Sequence, residues 1–212
     1  MLLFTYIIIT KKIMRKIYEA KNFNLPTLTG LSEKQVEVHL GLYKGYVAHV
    51  NKLQDELERL QKDPEANAYS IESVRRRLGF EFNGMRMHEL YFDQMEEGPT
   101  DEARGGALDE IVSSKFGSFD EFLKEFKSTA MTRGIGWTVL AIDRQVEVPE
   151  VPEAFVIWVA DHELGQLGDL NVLLALDMWE HAYMVDYTPA EKADYIEAFF
   201  KNLNWELVEK RI

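Results

Sequence analysis

Apolar residues recur along the first third of the chain at the spacing of one helix face. Val36, Leu40, Tyr43, Val47, Val50, Leu53, Leu57 and Leu60 fall three or four positions apart and so line a single stripe. Ser32-Glu33-Lys34-Gln35 just before the stripe has the form of a capping box, and Asp63-Pro64 just after it cannot continue a helix. The pattern predicts a long helix from Ser32 to about Lys62. A second stripe of Val74, Leu78, Met85, His88, Tyr91, Phe92 and Met95 predicts another helix, starting near Ser70 and stopped by Gly98-Pro99. Two long helices joined by a short polar turn make an antiparallel hairpin.

The pattern changes after Gly105-Gly106. Leu108 to Ser113 reads as a short helix, and Ser118-Phe119-Asp120-Glu121 as a capping box that opens another helix to about Thr132. Gly136 to Asp143, Phe155 to Ala160 and Leu170 to Leu176 are rich in β-branched and aromatic residues and read as strands. Thr188-Pro189-Ala190-Glu191 then starts a last helical element, with proline at its first position. The expected fold is α+β: a long α-helical hairpin, then a half built on helices and a small three-stranded antiparallel sheet. The expected division is an N-terminal extension at 1–24, the hairpin at 25–99 and the α+β domain at 100–212. No internal repeat or low-complexity tract interrupts it.

Cysteine is absent from the 212 residues. Disulfides and thiolate ligands are therefore excluded, and any metal must be held by nitrogen and oxygen. A cysteine-free chain fits a reducing compartment, and a cytoplasmic location is expected. The net charge of −12 argues against nucleic acid or an anionic membrane surface as partner. Met1 to Ile9 are mostly apolar and are followed by Lys11, Lys12, Arg15 and Lys16. That run is too short to span a bilayer, and its cations follow it, whereas a signal peptide places them first. The expectation is an upstream extension with the natural start at Met14.

Candidate chemistry concentrates in Asp177-Met178-Trp179-Glu180-His181-Ala182-Tyr183, where a carboxylate and an imidazole lie four residues apart among apolar and aromatic side chains. A desolvated carboxylate needs a partner, and a metal ion would satisfy both groups at once. The chain has five histidines: His39, His49, His88, His162 and His181. His49, close to Lys52 and Gln54, reads as a solvated residue. His39 lies on the first helix, seven residues before Tyr46, so the two point the same way. His88 falls inside the apolar stripe of the second helix, and His162 follows a strand. Three histidines and one aspartate make a plausible set for a redox metal with an open position. Other metal motifs fail: Val36, Tyr46, Met85, Val159 and Met178 stand three residues before the histidines, so there is no Glu-x-x-His, and there is no His-Glu-x-x-His.

The Asp177–Tyr183 stretch closely resembles the signature of the iron/manganese superoxide dismutase family. The resemblance runs from about Leu25 to Trp205 and includes Leu25-Pro26, Tyr46-Val47, Arg133-Gly134-Ile135-Gly136-Trp137 and Leu203-Asn204-Trp205. It implies one iron or manganese ion per subunit, held by His39, His88, Asp177 and His181. It implies Tyr46 as a gateway tyrosine and Trp137 as an aromatic wall. His162 falls where many members carry a glutamine that hydrogen-bonds the metal-bound solvent. The alternative source of that glutamine, four residues before the second ligand, is here Gly84. Glu180 and Tyr183 resemble residues at a two-fold interface, with Glu180 reaching the partner subunit's His181, which implies a homodimer or a dimer of dimers.

The chain departs from the family pattern in several places. His39 and Tyr46 are seven residues apart, where eight is usual. The family's histidine between them falls on Leu42 or Tyr43, so the relay it makes to Tyr183 of the other subunit is not matched. Met87 replaces a common asparagine, and Lys192 is the nearest match to a basic residue near the final helix. The implied reaction converts superoxide to dioxygen and hydrogen peroxide by redox cycling of the metal. The anionic substrate then needs local positive groups near the site to offset the acidic chain. A metal-stabilised homologue without activity, acting as a binding protein, and a different non-haem metalloenzyme are the competing readings.

Overall fold

The computed structural model describes residues 15–145 and 151–212; the expected extension and start at Met14 lie outside them, except for 15–24. Those ten residues carry no helix or strand and lie along the hairpin. Asn51 clamps Tyr18 by donating to its carbonyl at 2.8 Å and accepting from its amide at 2.9 Å. Arg15 pairs with Asp55 at 2.8 Å.

The hairpin is α1 (Glu33–Leu60) and α2 (Ala68–Asp93). α1 begins where Ser32 Oγ accepts from the Gln35 amide at 3.0 Å, which is half of the expected capping box. The other half is not made, because the Gln35 side chain turns instead to the His181 carbonyl and the Val185 amide. Tyr43, Val47, Val50 and Leu60 of the stripe are buried. α2 ends at Asp93, short of the expected Gly98-Pro99. The buried Gln94 instead pins the helix end to the sheet, donating to the Ala175 carbonyl at 2.5 Å and accepting from its amide at 3.2 Å.

Two shorter helices follow, α3 (Ala107–Phe116) and α4 (Phe119–Ala130), and then β1 (Gly136–Asp143), β2 (Glu153–Ala160) and β3 (Asn171–Asp177). The strands form one antiparallel sheet in the order β2-β1-β3. Trp137 at the start of β1 stands opposite Val159 on one side and Asp177 on the other. Gly136 just before it has φ 153° and lies against the Val159 carbonyl, where a Cβ would collide. α5 (Lys192–Phe200) and α6 (Trp205–Glu209) close the chain, the first entered through a short 3₁₀ turn at Pro189–Glu191 with a complete capping box.

Buried side chains from the hairpin, the sheet and α3–α6 form one continuous core. Among the described residues no helix is long and apolar enough to cross a membrane. The C-terminal ends of β2 and β3, the N-terminal half of α1 and the C-terminal half of α2 meet at one end of the sheet, and the candidate ligands stand there.

Candidate metal centre

Asp177 is the last residue of β3 and is fully buried. One carboxylate oxygen, Oδ1, accepts from the Trp179 amide two residues on, at 2.8 Å. That bond leaves Oδ2 facing inward, and three imidazoles converge on it: His39 Nε2 at 3.0 Å, His181 Nε2 at 3.3 Å and His88 Nε2 at 3.5 Å. One ligand atom from each of His39, His88, Asp177 and His181 lies within 4.8 Å of the others. His39 comes from α1, His88 from α2, and His181 from the 3₁₀ turn Glu180–Ala182, so the cluster joins the two halves of the molecule.

Each imidazole is aimed by its surroundings. His39 packs against Tyr91 and Phe92, with ring centres 4.8 and 4.9 Å away. His88 Nδ1 lies 2.7 Å from the Gly84 carbonyl, one turn back on α2. A carbonyl can only accept, so Nδ1 carries the proton and Nε2 presents a lone pair to the centre. Tyr195 on α5 donates to the Asp177 carbonyl at 2.8 Å. Gln35 holds the opposite end of the turn: its Nε2 donates to the His181 carbonyl at 2.7 Å and its Oε1 accepts from the Val185 amide at 2.9 Å.

The electrostatics favour the ligating forms. Burial lowers the pKa of His39 and lowers that of His88 further, although Asp177 pulls both upward. Both are therefore neutral imidazoles. Burial alone would raise Asp177, but His181 and His39 more than offset it and hold the carboxyl well below its ordinary range. Three imidazole nitrogens and an ionised oxygen share one small volume. Protons could pair some of these atoms, but a single cation at their common centre engages all four. With no sulfur present, the donor set suits a transition metal of nitrogen and oxygen preference.

A second group of polar residues borders this cluster. The Trp137 indole N–H donates to His162 Nδ1 at 2.9 Å, and His162 Nε2 lies 2.9 Å from the Tyr46 hydroxyl. An indole only donates, so the neutral His162 carries its proton on Nε2 and donates to Tyr46. Burial pushes the His162 pKa down to about 4. Tyr46 is raised, chiefly by burial and then by Asp177 and Glu81, so it remains a phenol. His162 reaches this place because Asp161, with φ 51°, turns the chain sharply off the end of β2. It then lies flat on Trp179, with ring centres 4.8 Å apart, and edge-on to Phe80 at 4.6 Å.

Gly84 explains the fit of Tyr46. A Cβ on Gly84 would stand 2.6 Å from the Tyr46 ring, so the tyrosine fills the space that any side chain there would occupy. A group from position 84 is thereby excluded, and His162 occupies that edge of the site. α1 is an uninterrupted helix from Glu33 to Leu60, and the seven-residue spacing keeps His39 and Tyr46 on one face without a bulge. Leu42 is exposed, and the buried Tyr43 sends its hydroxyl to Glu89 at 3.2 Å and accepts from the Lys21 amide at 2.8 Å. Neither approaches Tyr183, which is buried in its own chain against Tyr195 with ring centres 5.1 Å apart.

Glu180 is exposed beside His181. Lys192 donates to the Thr132 carbonyl at 2.8 Å and lies over the Trp158 ring. His49 is exposed and lies 3.4 Å from Glu81 Oε2. Gln35, Trp179, Phe80 and Tyr195 were not anticipated as parts of the site. Trp179 alone had a local signal, its place between Asp177 and His181.

These features define a class: a protein with a largely buried three-histidine, one-carboxylate cluster able to hold a metal, set between a helical hairpin and a three-stranded sheet. Comparison with known proteins narrows it. A sequence profile of the iron/manganese superoxide dismutases, C-terminal domain, matches residues 104–211. The chain is 32% identical over 211 residues to a superoxide dismutase (Fe) of Sulfolobus acidocaldarius, covering 94% of this chain and 97% of that one. It is 33% identical over 186 residues to one from Saccharolobus solfataricus, covering 86% and 85%, and 34% identical over 190 residues to one from Aquifex pyrophilus, covering 87% and 85%. The chain belongs to the iron/manganese superoxide dismutase family, and a metal ion is its cofactor.

Proposed function

We propose that the protein converts superoxide to dioxygen and hydrogen peroxide, using one iron or manganese ion per subunit held by His39, His88, Asp177 and His181. The observation that carries this reading is the convergence of those four donor atoms within 4.8 Å, three of their residues buried, with the Tyr46 ring centre 5.0 Å from that of His88. A bound iron or manganese ion supplies the one-electron exchange: one superoxide is oxidised to dioxygen, and a second is reduced and takes up two protons to become hydrogen peroxide.

The chain's own residues supply the rest. Asp177 is the one anionic member of the set and offsets part of the charge of any cation there. His88 is locked by Gly84 into the tautomer whose Nε2 lone pair points inward. Trp137 locks His162 into the opposite one, with its Nε2 proton on Tyr46. Because the Tyr46 oxygen accepts that proton's hydrogen bond, its own O–H is free to turn toward an incoming anion. The raised pKa keeps that hydroxyl protonated, so Tyr46 donates to bound substrate rather than acting as a base. The rings of Phe80, Trp137, Trp179 and Tyr46 pack closely around His162 and His88, an aromatic wall that suits a small substrate. His162 is assigned the tuning of the site through its N–H, and not a ligand role.

A homodimer through Glu180 and the adjoining Tyr183, or a dimer of such dimers, and a cytoplasmic location complete the proposal. The test is superoxide consumption by protein loaded separately with iron and with manganese. Consumption with either metal supports the reading. Absence of consumption with both, in protein that retains bound metal, overturns it in favour of a binding protein.

A further inference from the structure

The proposed substrate and the charge of the chain oppose each other. There are 36 acidic and 24 basic side chains, and superoxide is an anion. Attraction must come from cations close to the opening, because exposed charges farther than ~8 Å are largely screened at physiological ionic strength.

α2 carries Arg75, Arg76 and Arg77 in succession. The Arg77 guanidinium lies 4.2 Å from the centre of the Phe80 ring. That ring meets His162 edge-on at 4.6 Å and lies 6.4 Å from the ring of Tyr46. The cation therefore stands one aromatic ring away from the two polar groups that border the metal cluster.

Glu81, one turn further along α2, fixes this position. Its Oε1 accepts from Arg77 Nε at 2.7 Å and from Nη2 at 2.5 Å. The acid side chain is 2% exposed and the arginine 56%, so the anion lies beneath and the cation faces the solvent. The other oxygen, Oε2, is buried with no hydrogen-bond partner and faces His49 Nδ1 at 3.4 Å. His49, Lys52, Leu53, Arg77 and Glu81 line an open cavity of ≈ 230 Å³ between α1 and α2. Lys52, on the α1 side of this cavity, adds a second exposed cation, while Glu163 approaches from the far side near Gly79 and opposes them. An i,i+4 pair left in water contributes little to stability, and burying its carboxylate is costly. What the burial of Glu81 secures is a guanidinium held in one place, one aromatic ring away from Tyr46 and His162.

We propose that Arg77, seated on the Phe80 ring and held there by Glu81, is the cation that draws superoxide to the Tyr46–His162 edge of the metal centre. The proposal rests on the dismutase reading above. Its test compares iron-loaded wild type, Arg77→Gln and Arg77→Lys as ionic strength rises from about 10 mM to about 1 M, which shortens the screening length from ~30 Å to ~3 Å. Two quantities are read: kcat/KM for superoxide, and the association rate of azide followed by the absorption of the iron centre. Arg77→Gln is expected to lower both by about three- to tenfold at low ionic strength, to change kcat far less, and to match wild type at high salt. Arg77→Lys, which keeps the charge, should recover most of the loss. Equal rates for Arg77→Gln and wild type at low salt would overturn the proposal. So would a deficit that persists at high salt or that Arg77→Lys shares, since either marks a structural role. If wild type binds azide but consumes no superoxide, the dismutase reading fails, while the azide rates still judge Arg77.

Discussion

His88 and His162 are both buried imidazoles with ring centres 6.2 Å apart, yet their Nε2 atoms carry opposite chemistry. Burial lowers the pKa of each and makes both neutral. The difference lies in what each Nδ1 meets. For His88 it is the Gly84 carbonyl, an acceptor, which forces the proton onto Nδ1 and leaves a lone pair on Nε2. For His162 it is the Trp137 indole N–H, a donor, which forces the lone pair onto Nδ1 and leaves a proton on Nε2. One ring is thereby prepared to ligate and the other to donate. The role of a buried histidine in this molecule is written in the group behind it.

The most severe way to break the comparison is to remove the ligating member. His88→Ala is expected to lose bound metal and to lower activity by at least ~100-fold, since changes to the groups that only support such ligands already cost 10–100-fold. Elemental analysis of the purified variant, beside its superoxide consumption, checks both. Full metal content would show that His88 is not a ligand.

Gly84 serves both histidines, because its carbonyl aims His88 and its missing side chain admits Tyr46, the partner of His162. Gly84→Ala should separate the two functions. The carbonyl stays, so metal should stay bound. The new Cβ would stand 2.6 Å from the Tyr46 ring and displace it from His162. Replacing glycine by alanine inside a helix favours folding by ~1 kcal/mol, and overpacking opposes it by ~1–3 kcal/mol. Stability is therefore expected to change by no more than ~2 kcal/mol, while activity per bound metal falls about tenfold, short of the ~100-fold low end of a full proton-transfer contribution because the Tyr46 hydroxyl is shifted and not removed. Wild-type activity in metal-replete Gly84→Ala protein would show that the position of Tyr46 is unimportant.

The donating member can be examined through pH. The His162 pKa falls from 6.5 to about 4 on folding, so the unfolded chain takes up a proton below pH 6.5 that the folded one refuses. Stability should therefore drop as pH falls from 6.5 toward 4. The share due to His162 at pH 5 is about 2 kcal/mol. In His162→Gln the amide can still donate, the metal should be retained, and that share should vanish. Urea unfolding of the metal-free proteins at pH 7 and pH 5 measures it. Wild type and variant lose the contributions of His39 and His88 alike, so equal losses in the two proteins would contradict the assignment.

How much of this was legible in the sequence follows the range of the interactions. Periodic burial is local, and the two hairpin stripes, the strand at Gly136–Asp143 and the Asp177–His181 spacing were readable from neighbouring residues. Long-range hydrogen bonds leave no period. Gly98-Pro99 looked like the stop of α2, but Gln94 ends the helix earlier by bonding Ala175 in β3. Ser32 and Gln35 looked like a reciprocal cap, but Gln35 bonds residues 146 and 150 positions away. The tautomers of His88 and His162 were likewise hidden, because each depends on a group whose orientation only the fold fixes.

Gln35 yields the mildest of the expected effects and the one that lies furthest from the chemistry. It joins α1 to the His181 turn through the His181 carbonyl and the Val185 amide, without touching any of the proposed ligand atoms. Gln35→Met keeps the volume but leaves both backbone groups without their partner. An unsatisfied polar group costs about 1–3 kcal/mol, and both groups here are only part-buried, so the expected loss is ~2 kcal/mol. The imidazole of His181 still starts from the same turn, held by Trp179 and Asp177, so activity per bound metal should stay within about twofold of wild type. Thermal unfolding of the metal-free variant gives the first quantity, and the assay after metal loading gives the second. A large fall in specific activity with unchanged stability would mean that the Gln35 amide acts on the ligand's electronic state. The comparison would then need a third member, because His181 would be tuned through its own backbone as His88 and His162 are through their rings.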